Sequence, residues 1–186
     1  MSAFHRVPAE TLRAEPWANG AGTTTVLASG PDHDTWRWRL SIARIEHDAA
    51  FSALPGVQRQ FAALDAPLVL AFGEHNERQA LRLAVIRFDG ADAPHARLTD
   101  GPTRAFNLML RDGAEGELIA RPLNGAMVLP PSSGAHWFLY LLAGQAELRS
   151  GGESLQVAQD EAVWIEASGT LRIEGGGEVV LARIED

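Results

Sequence analysis

The sequence predicts an all-β protein, and three observations carry that expectation. Apolar and polar residues alternate with period two along many short runs. Eighteen glycines and ten prolines interrupt 186 residues, leaving pieces too short for most helices. Turn marks sit between the runs, at Pro55-Gly56, Asp89-Gly90, Gly101-Pro102, Asp112-Gly113, Asn124-Gly125, Gly151-Gly152 and Gly175-Gly176-Gly177.

Taken in order, Pro8 to Ala14 is the one place where a short helix is expected, because proline suits a first helical turn. From Thr35 to Ile45, Trp36, Trp38, Leu40 and Ile42 alternate with Arg37, Arg39, Ser41 and Ala43, which makes a strand with two different faces. Val57 to Leu64 sets Val57, Arg59, Phe61 and Ala63 on one face, and Leu68 to Phe72 reads as a buried strand. Further strands are expected at 81–88, 105–111, 117–121, 136–142, 146–149, 154–157, 162–166, 170–174 and 179–184. In the second half, from about Pro131, turns are expected at Ala143-Gly144, Gly151-Gly152 and Gln159-Asp160. That rhythm resembles the small jelly-roll barrel of cupins, and 36–88 repeats it more loosely. No linker rich in Gly, Ser or charge separates the halves. The expected architecture is therefore a bicupin, two fused cupin-like barrels in one compact unit, with halves 1–112 and 113–186.

Composition excludes several kinds of chemistry. The chain has no cysteine, so disulfides and thiolate sites are absent. All sixteen basic residues are arginine, so a Schiff-base lysine and a phosphate-loop lysine are absent too. A net charge of -8 without a basic cluster argues against nucleic acid. No apolar run is long enough to cross a bilayer and no secretory leader is recognisable, so a cytoplasmic protein without membrane attachment is expected. The six histidines are scattered, and His136 is followed two residues on by Phe138 rather than a second imidazole, so neither a metal nor another cofactor is expected. There is no G-x-S-x-G elbow.

Two features point to binding instead. Pro16-Trp17-Ala18-Asn19-Gly20-Ala21-Gly22-Thr23-Thr24-Thr25 combines an indole, an amide, two glycines and hydroxyls, and can be read as an anion-gripping loop or as a plain turn. Arg59 shares a strand face with Val57 and Phe61, where a cation is costly unless paired. Its partner is a carboxylic acid ligand, or an acidic side chain of the protein; an edge-strand position would need neither. Arg39, opposite Trp38, invites the same readings.

The blocks Trp17-Ala18-Asn19-Gly20-Ala21-Gly22-Thr23-Thr24, Trp38-Arg39-Leu40-Ser41-Ile42-Ala43, Phe51-Ser52-Ala53-Leu54-Pro55-Gly56-Val57-Gln58-Arg59 and Phe106-Asn107-Leu108-Met109 together resemble the successive motifs of the HutD/Ves family. The resemblance implies a bicupin without a catalytic metal, from a family associated with bacterial histidine utilisation. That family is thought to bind a pathway intermediate, urocanate or a formylated glutamate derivative, and to restrain the pathway. Its pocket, carried over, falls on Asn19, Gly20, Gly22 and Thr23 in the loop, Arg39 and Ser41, then Phe51, Ser52 and Arg59, then Phe106, Asn107 and Met109. Where the family more often has lysine, glycine and aspartate, this chain has Ala18, Ala21 and Ala105, and the lost aspartate removes a partner for a pocket arginine.

The expected function is therefore a regulatory protein that binds a small organic acid, with Arg59 on the carboxylate and the loop amides and Thr23 fixing the rest. The alternative is a metal-free isomerase or hydrolase acting on a small polar acid. A third reading uses the strand edges for partner contact, a homodimer included.

Overall fold

The computed structural model describes residues 2–131, 134–166 and 169–185. Among them the helical pieces are two 3-10 turns, Ala9–Thr11 and Gly90–Asp92, and the rest is strand and connection. The strands are β1 (Phe4–Arg6), β2 (Ala14–Pro16), β3 (Gly22–Gly30), β4 (Trp38–Ile45), β5 (Ala49–Ala50), β6 (Gln58–Ala63), β7 (Leu68–Ala71) and β8 (Glu77–Ala80). They continue with β9 (Val85–Asp89), β10 (His95–Leu98), β11 (Thr103–Leu110), β12 (Glu115–Leu129), β13 (Ala135–Ser150), β14 (Glu153–Ala158), β15 (Ala162–Ile165) and β16 (Leu171–Glu185). The chain divides into two compact units: Leu12–Ala114, and the residues from Glu115 onward together with those up to Thr11. The N-terminal residues join the second unit because β1 pairs antiparallel with β15, Phe4 opposite Ile165.

The Leu12–Ala114 unit has a six-stranded sheet in the order β2-β3-β4-β11-β6-β9 and a four-stranded sheet in the order β5-β10-β7-β8. Ile45, Phe61, Ala63, Phe88 and Ala105 from the first sheet and Leu68, Leu70, Ala80 and Ala96 from the second form one buried apolar cluster, so the sheets enclose a core face to face. Strand register orders the inner face of the larger sheet into levels. Ala43, Ala105 and Ala63 lie side by side, then Ser41, Asn107 and Phe61, then Arg39, Met109 and Arg59. Running across these levels, the face changes from small and apolar to polar and charged.

The other unit is a single six-stranded sheet, β1-β15-β13-β16-β12 with β14 on β13. Expected turns at Asn124-Gly125, Ala143-Gly144 and Gly175-Gly176-Gly177 are instead points inside the continuous strands β12, β13 and β16. They coincide across the sheet, Gly144 facing Gly177 and Gly125 facing Gly175, beside a bulge between Leu141 and Ala143. Gly144 has φ of +84°, and a Cβ there would lie 1.9 Å from the Gly176 carbonyl oxygen. Glycine thus lets neighbouring backbones bend together at close approach instead of reversing them. The bend brings Leu139 and Leu141 from one half of β13 into a cluster with Leu148 from its other half and Val157 of β14.

Three other expectations are corrected. The helix at 8–14 is only the turn Ala9–Thr11, after which Ala14–Pro16 is recruited as an edge strand paired to β3. A single strand over 81–88 is replaced by β8 and β9 around a turn in which Leu83 has φ of +62°. The fold is all-β and double as expected, but none of the three sheets closes into a barrel; closure is replaced by two packed open sheets in one unit and a bent sheet in the other.

Candidate functional site

The polar end of the inner face in the Leu12–Ala114 unit floors a pocket of about 420 Å³. Of the residues singled out from sequence, Asn19, Arg39, Ser41, Phe51, Ser52, Arg59, Asn107 and Met109 line it. Strand parity delivers them: Arg39 and Ser41 on β4, Asn107 and Met109 on β11 and Arg59 on β6 are all on one side of the sheet. Phe51 and Ser52 come from the connection between β5 and β6, held by hydrogen bonds from the Phe51 amide to the Pro94 carbonyl and from the Leu54 amide to the Gly90 carbonyl.

Arg59 is 6% exposed. Its Nη2 donates to Asn107 Oδ1 at 2.9 Å, and its guanidinium carbon lies 5.0 Å from the Phe51 ring centre and 5.1 Å from that of Phe88. Its Nε is buried without a hydrogen-bond partner, and among the described residues no carboxylate pairs with it. Burial pushes its pKa down to about 10, so the group is still a cation at neutral pH. Arg39 Nε is likewise buried with no partner. Since Arg59 can only donate, Asn107 must offer its oxygen there, which leaves its NH₂ as a further donor. Ala105, on the same inner face two residues before Asn107, brings no carboxylate to the floor.

Gly20, Gly22, Thr23 and Phe106 lie outside the lining. Phe106 alternates with Asn107 and is fully buried on the opposite face of β11. At Gly22 a Cβ would stand 2.1 Å from the Arg44 carbonyl oxygen, so this glycine serves the close approach of β3 to β4. Three of the loop amides are used within the loop: Trp17 N donates to Gly22 O at 2.9 Å, Gly20 N to Trp17 O at 3.0 Å and Ala21 N to Asn19 Oδ1 at 3.1 Å. Those three amides, among the ones expected to grip an anion, close a turn that shapes the wall. Thr24, not Thr23, reaches the pocket, and it accepts a hydrogen bond from Trp17 Nε1 at 2.8 Å.

Sequence reasoning passed over Glu15, Trp36, Ala43, Ala50 and Leu54 in the lining, and Phe88 behind Arg59. Glu15 enters because β2 pairs with β3, and Phe88 because β9 pairs with β6 opposite Arg59. Trp36 is held by Arg111, whose guanidinium carbon is 4.1 Å from its ring centre. Thr24 lines the pocket because β3 pairs it with Ala43 of β4, a relation that the local sequence does not contain. Among the described residues no three His, Asp or Glu side chains are grouped to hold one metal ion, and no helix is long and apolar enough to cross a membrane.

The chain is 31% identical over 172 residues to Protein Ves of Cronobacter sakazakii, covering 90% of this chain and 91% of that one. It is 34% identical over 113 residues, 59% of each chain, to an uncharacterized 21.2 kDa protein in the hutC 3′ region of Pseudomonas putida. The structure of HutD from Pseudomonas fluorescens SBW25 superposes with a TM-score of 0.79 at 26% identity, covering 98% of both chains. The bacterial pirin YhhW of Escherichia coli, at 8% identity and TM-score 0.69 over 98% of this chain and 99% of its own, shares the cupin-like fold alone. A family model described as HutD matches residues 9–181, and the chain belongs to the HutD family.

Proposed function

We propose that this protein binds a small carboxylic acid, of the urocanate or formylated glutamate kind, in the pocket floored by Arg39, Arg59 and Asn107, and that it restrains histidine degradation in the cytoplasm by sensing that acid. The single observation behind this reading is Arg59: a buried cation with an amide for a partner, a free Nε and an open pocket in front of it. A guanidinium recognises a carboxylate through two parallel charge-assisted hydrogen bonds, and the aromatic sleeve of Phe51 and Phe88 holds the fork in place. The family name and the hutC-region relative supply the link to histidine utilisation.

The test is thermal melting of the pure protein with millimolar urocanate or N-formylglutamate. Ligand at about 100 times Kd adds about 2.7 kcal/mol, a rise of several degrees for a protein of this size. The rise is expected in the native protein and absent in Arg59→Ala. No shift with either acid at millimolar concentration overturns the reading. Glu15, the one carboxylate among the described residues of the lining, favours the enzymatic alternative, for which it would carry a proton. Product formation from a bound acid, lost in Glu15→Gln, would install that reading instead.

A further inference from the structure

We infer that the pocket takes a dianion: a short-chain dicarboxylic acid with one carboxylate on Arg59 and the other on Arg39. The inference rests on the proposed acid-binding function and names the ligand class.

Met109 pairs with Arg39 on one side and with Arg59 on the other, so the two arginines stand at one level, two strand spacings or roughly 10 Å apart at Cα. Both side chains line the pocket, and each has its Nε buried without a partner. Among the described residues neither guanidinium has a carboxylate partner, so the floor holds two uncompensated cations. Glu15, the one acidic side chain among the described residues of the lining, is exposed on the edge strand β2 and is paired with neither. A single carboxylate cancels one of these charges and leaves the other without a counter-charge; two carboxylates on one carbon chain cancel both.

The remaining floor fits the same ligand. Asn107 spends its oxygen on Arg59 and keeps only donors for the pocket. Met109, between the arginines, offers a flexible apolar surface to a run of methylenes. Arg59 is fixed by two rings and Asn107, while Arg39 is half-buried and ring contacts do not hold it, so Arg39 is the arm that adjusts to chain length. Of the two acids named above, only the glutamate derivative carries two carboxylates.

Calorimetric titration with glutarate and with its monoamide, glutaramate, at neutral pH and matched ionic strength separates these cases, because the two probes share length and shape and differ by one charge. Glutarate is expected to bind at least about tenfold more tightly to the native protein. Arg39→Gln should remove the preference, costing glutarate at least about tenfold more than it costs glutaramate, and circular dichroism shows that the variant is folded. Arg39→Lys should restore part of the preference, and Arg59→Gln should abolish binding of both. Equal affinities in the native protein, or an Arg39→Gln variant that weakens both probes alike, overturn the inference. If urocanate binds and glutarate does not, the dianion is wrong and the proposed function survives; if none of the three binds, both fall.

Discussion

Arg59 is hydrogen-bonded to Asn107, not to an acid, with Nη2 to Oδ1 at 2.9 Å. An amide satisfies one donor of a buried guanidinium without cancelling its charge, and Phe51 and Phe88 add only the weak attraction of their ring faces. The cation therefore stays chemically available on the pocket side. Keeping it so costs stability, since a desolvated charge without a counter-charge is unfavourable, and that imbalance is what an incoming acid relieves.

Replacing that partner by an acid should convert the binding group into an internal ion pair. Asn107→Asp is expected to weaken binding of the organic acid by at least about tenfold while leaving the urea midpoint of the unliganded protein no lower. Asn107→Leu, which strands the donor instead, is expected to lower stability by about 1–3 kcal/mol. Urea denaturation together with ligand titration reads both, and an Asp variant that binds like the native protein contradicts the account.

The depressed pKa of Arg59 gives a pH dependence whose sign follows from its cause. Desolvation disfavours the charged form in the fold, so between about 10 and the higher value of an exposed arginine the folded protein holds fewer protons than the unfolded chain. The destabilisation is fully present below about 10 and is relieved as pH rises through that window. Ligand affinity follows the cation: flat from neutrality to about pH 9, then falling above about 10, well before an exposed arginine would lose its charge. Affinity measured across that range, with circular dichroism to monitor the fold, checks it; a decline already complete by pH 9 assigns the binding to another group.

How far this site could be read from sequence depended on whether its signal was local. Arg59 was legible because period-two alternation puts it with Phe61 on an inner face, and Arg39 because it alternates with Trp38 and Leu40. Phe88 and Glu15 were not, since they reach the site only through pairings of β9 with β6 and β2 with β3 that no window of sequence contains. Gly144 and Gly177 misled for a related reason: a glycine that permits a turn and one that permits two strands to bend in contact look alike until the partner strand is known. At Pro8 the helix-start signal was real, but three residues of 3-10 turn satisfied it before the chain was claimed by the edge of a sheet.

Acid should act on an ion pair elsewhere in the same unit, that of Asp65 with Arg104. Burial raises the Asp65 pKa, but hydrogen bonds from Arg104 through Nε at 2.9 Å, Nη2 at 3.0 Å and its backbone amide at 3.0 Å outweigh this and hold the carboxyl below its ordinary value of 3.8. A depressed carboxylate contributes stability that is present above the ordinary value and lost as pH falls through the lower folded one. Because the pair is partly exposed and screened, Asp65→Asn is expected to cost only about 0.5–1 kcal/mol at pH 7. That difference from the native protein should shrink as pH falls below 3.8 and through the lower folded value, as urea midpoints measured against pH will show.

The bend of the long strands makes the sharpest prediction for the other unit, because two of its glycines share a φ and differ in what surrounds them. Gly125 and Gly144 have nearly the same φ, +87° and +84°, so alanine carries a similar backbone penalty at either. Around Gly125 nothing lies within 4 Å of a built Cβ, whereas at Gly144 that atom would fall 1.9 Å from the Gly176 carbonyl oxygen and 2.9 Å from Gly177 Cα. Gly125→Ala is therefore expected to cost about 1 kcal/mol, the strain alone, and Gly144→Ala about 3 kcal/mol or more, since backbone must give way to backbone. Thermal and urea unfolding of the two variants tests the contrast. Equal losses would mean that the crossing of β13 and β16 can open without cost, and that these glycines do not set the bend.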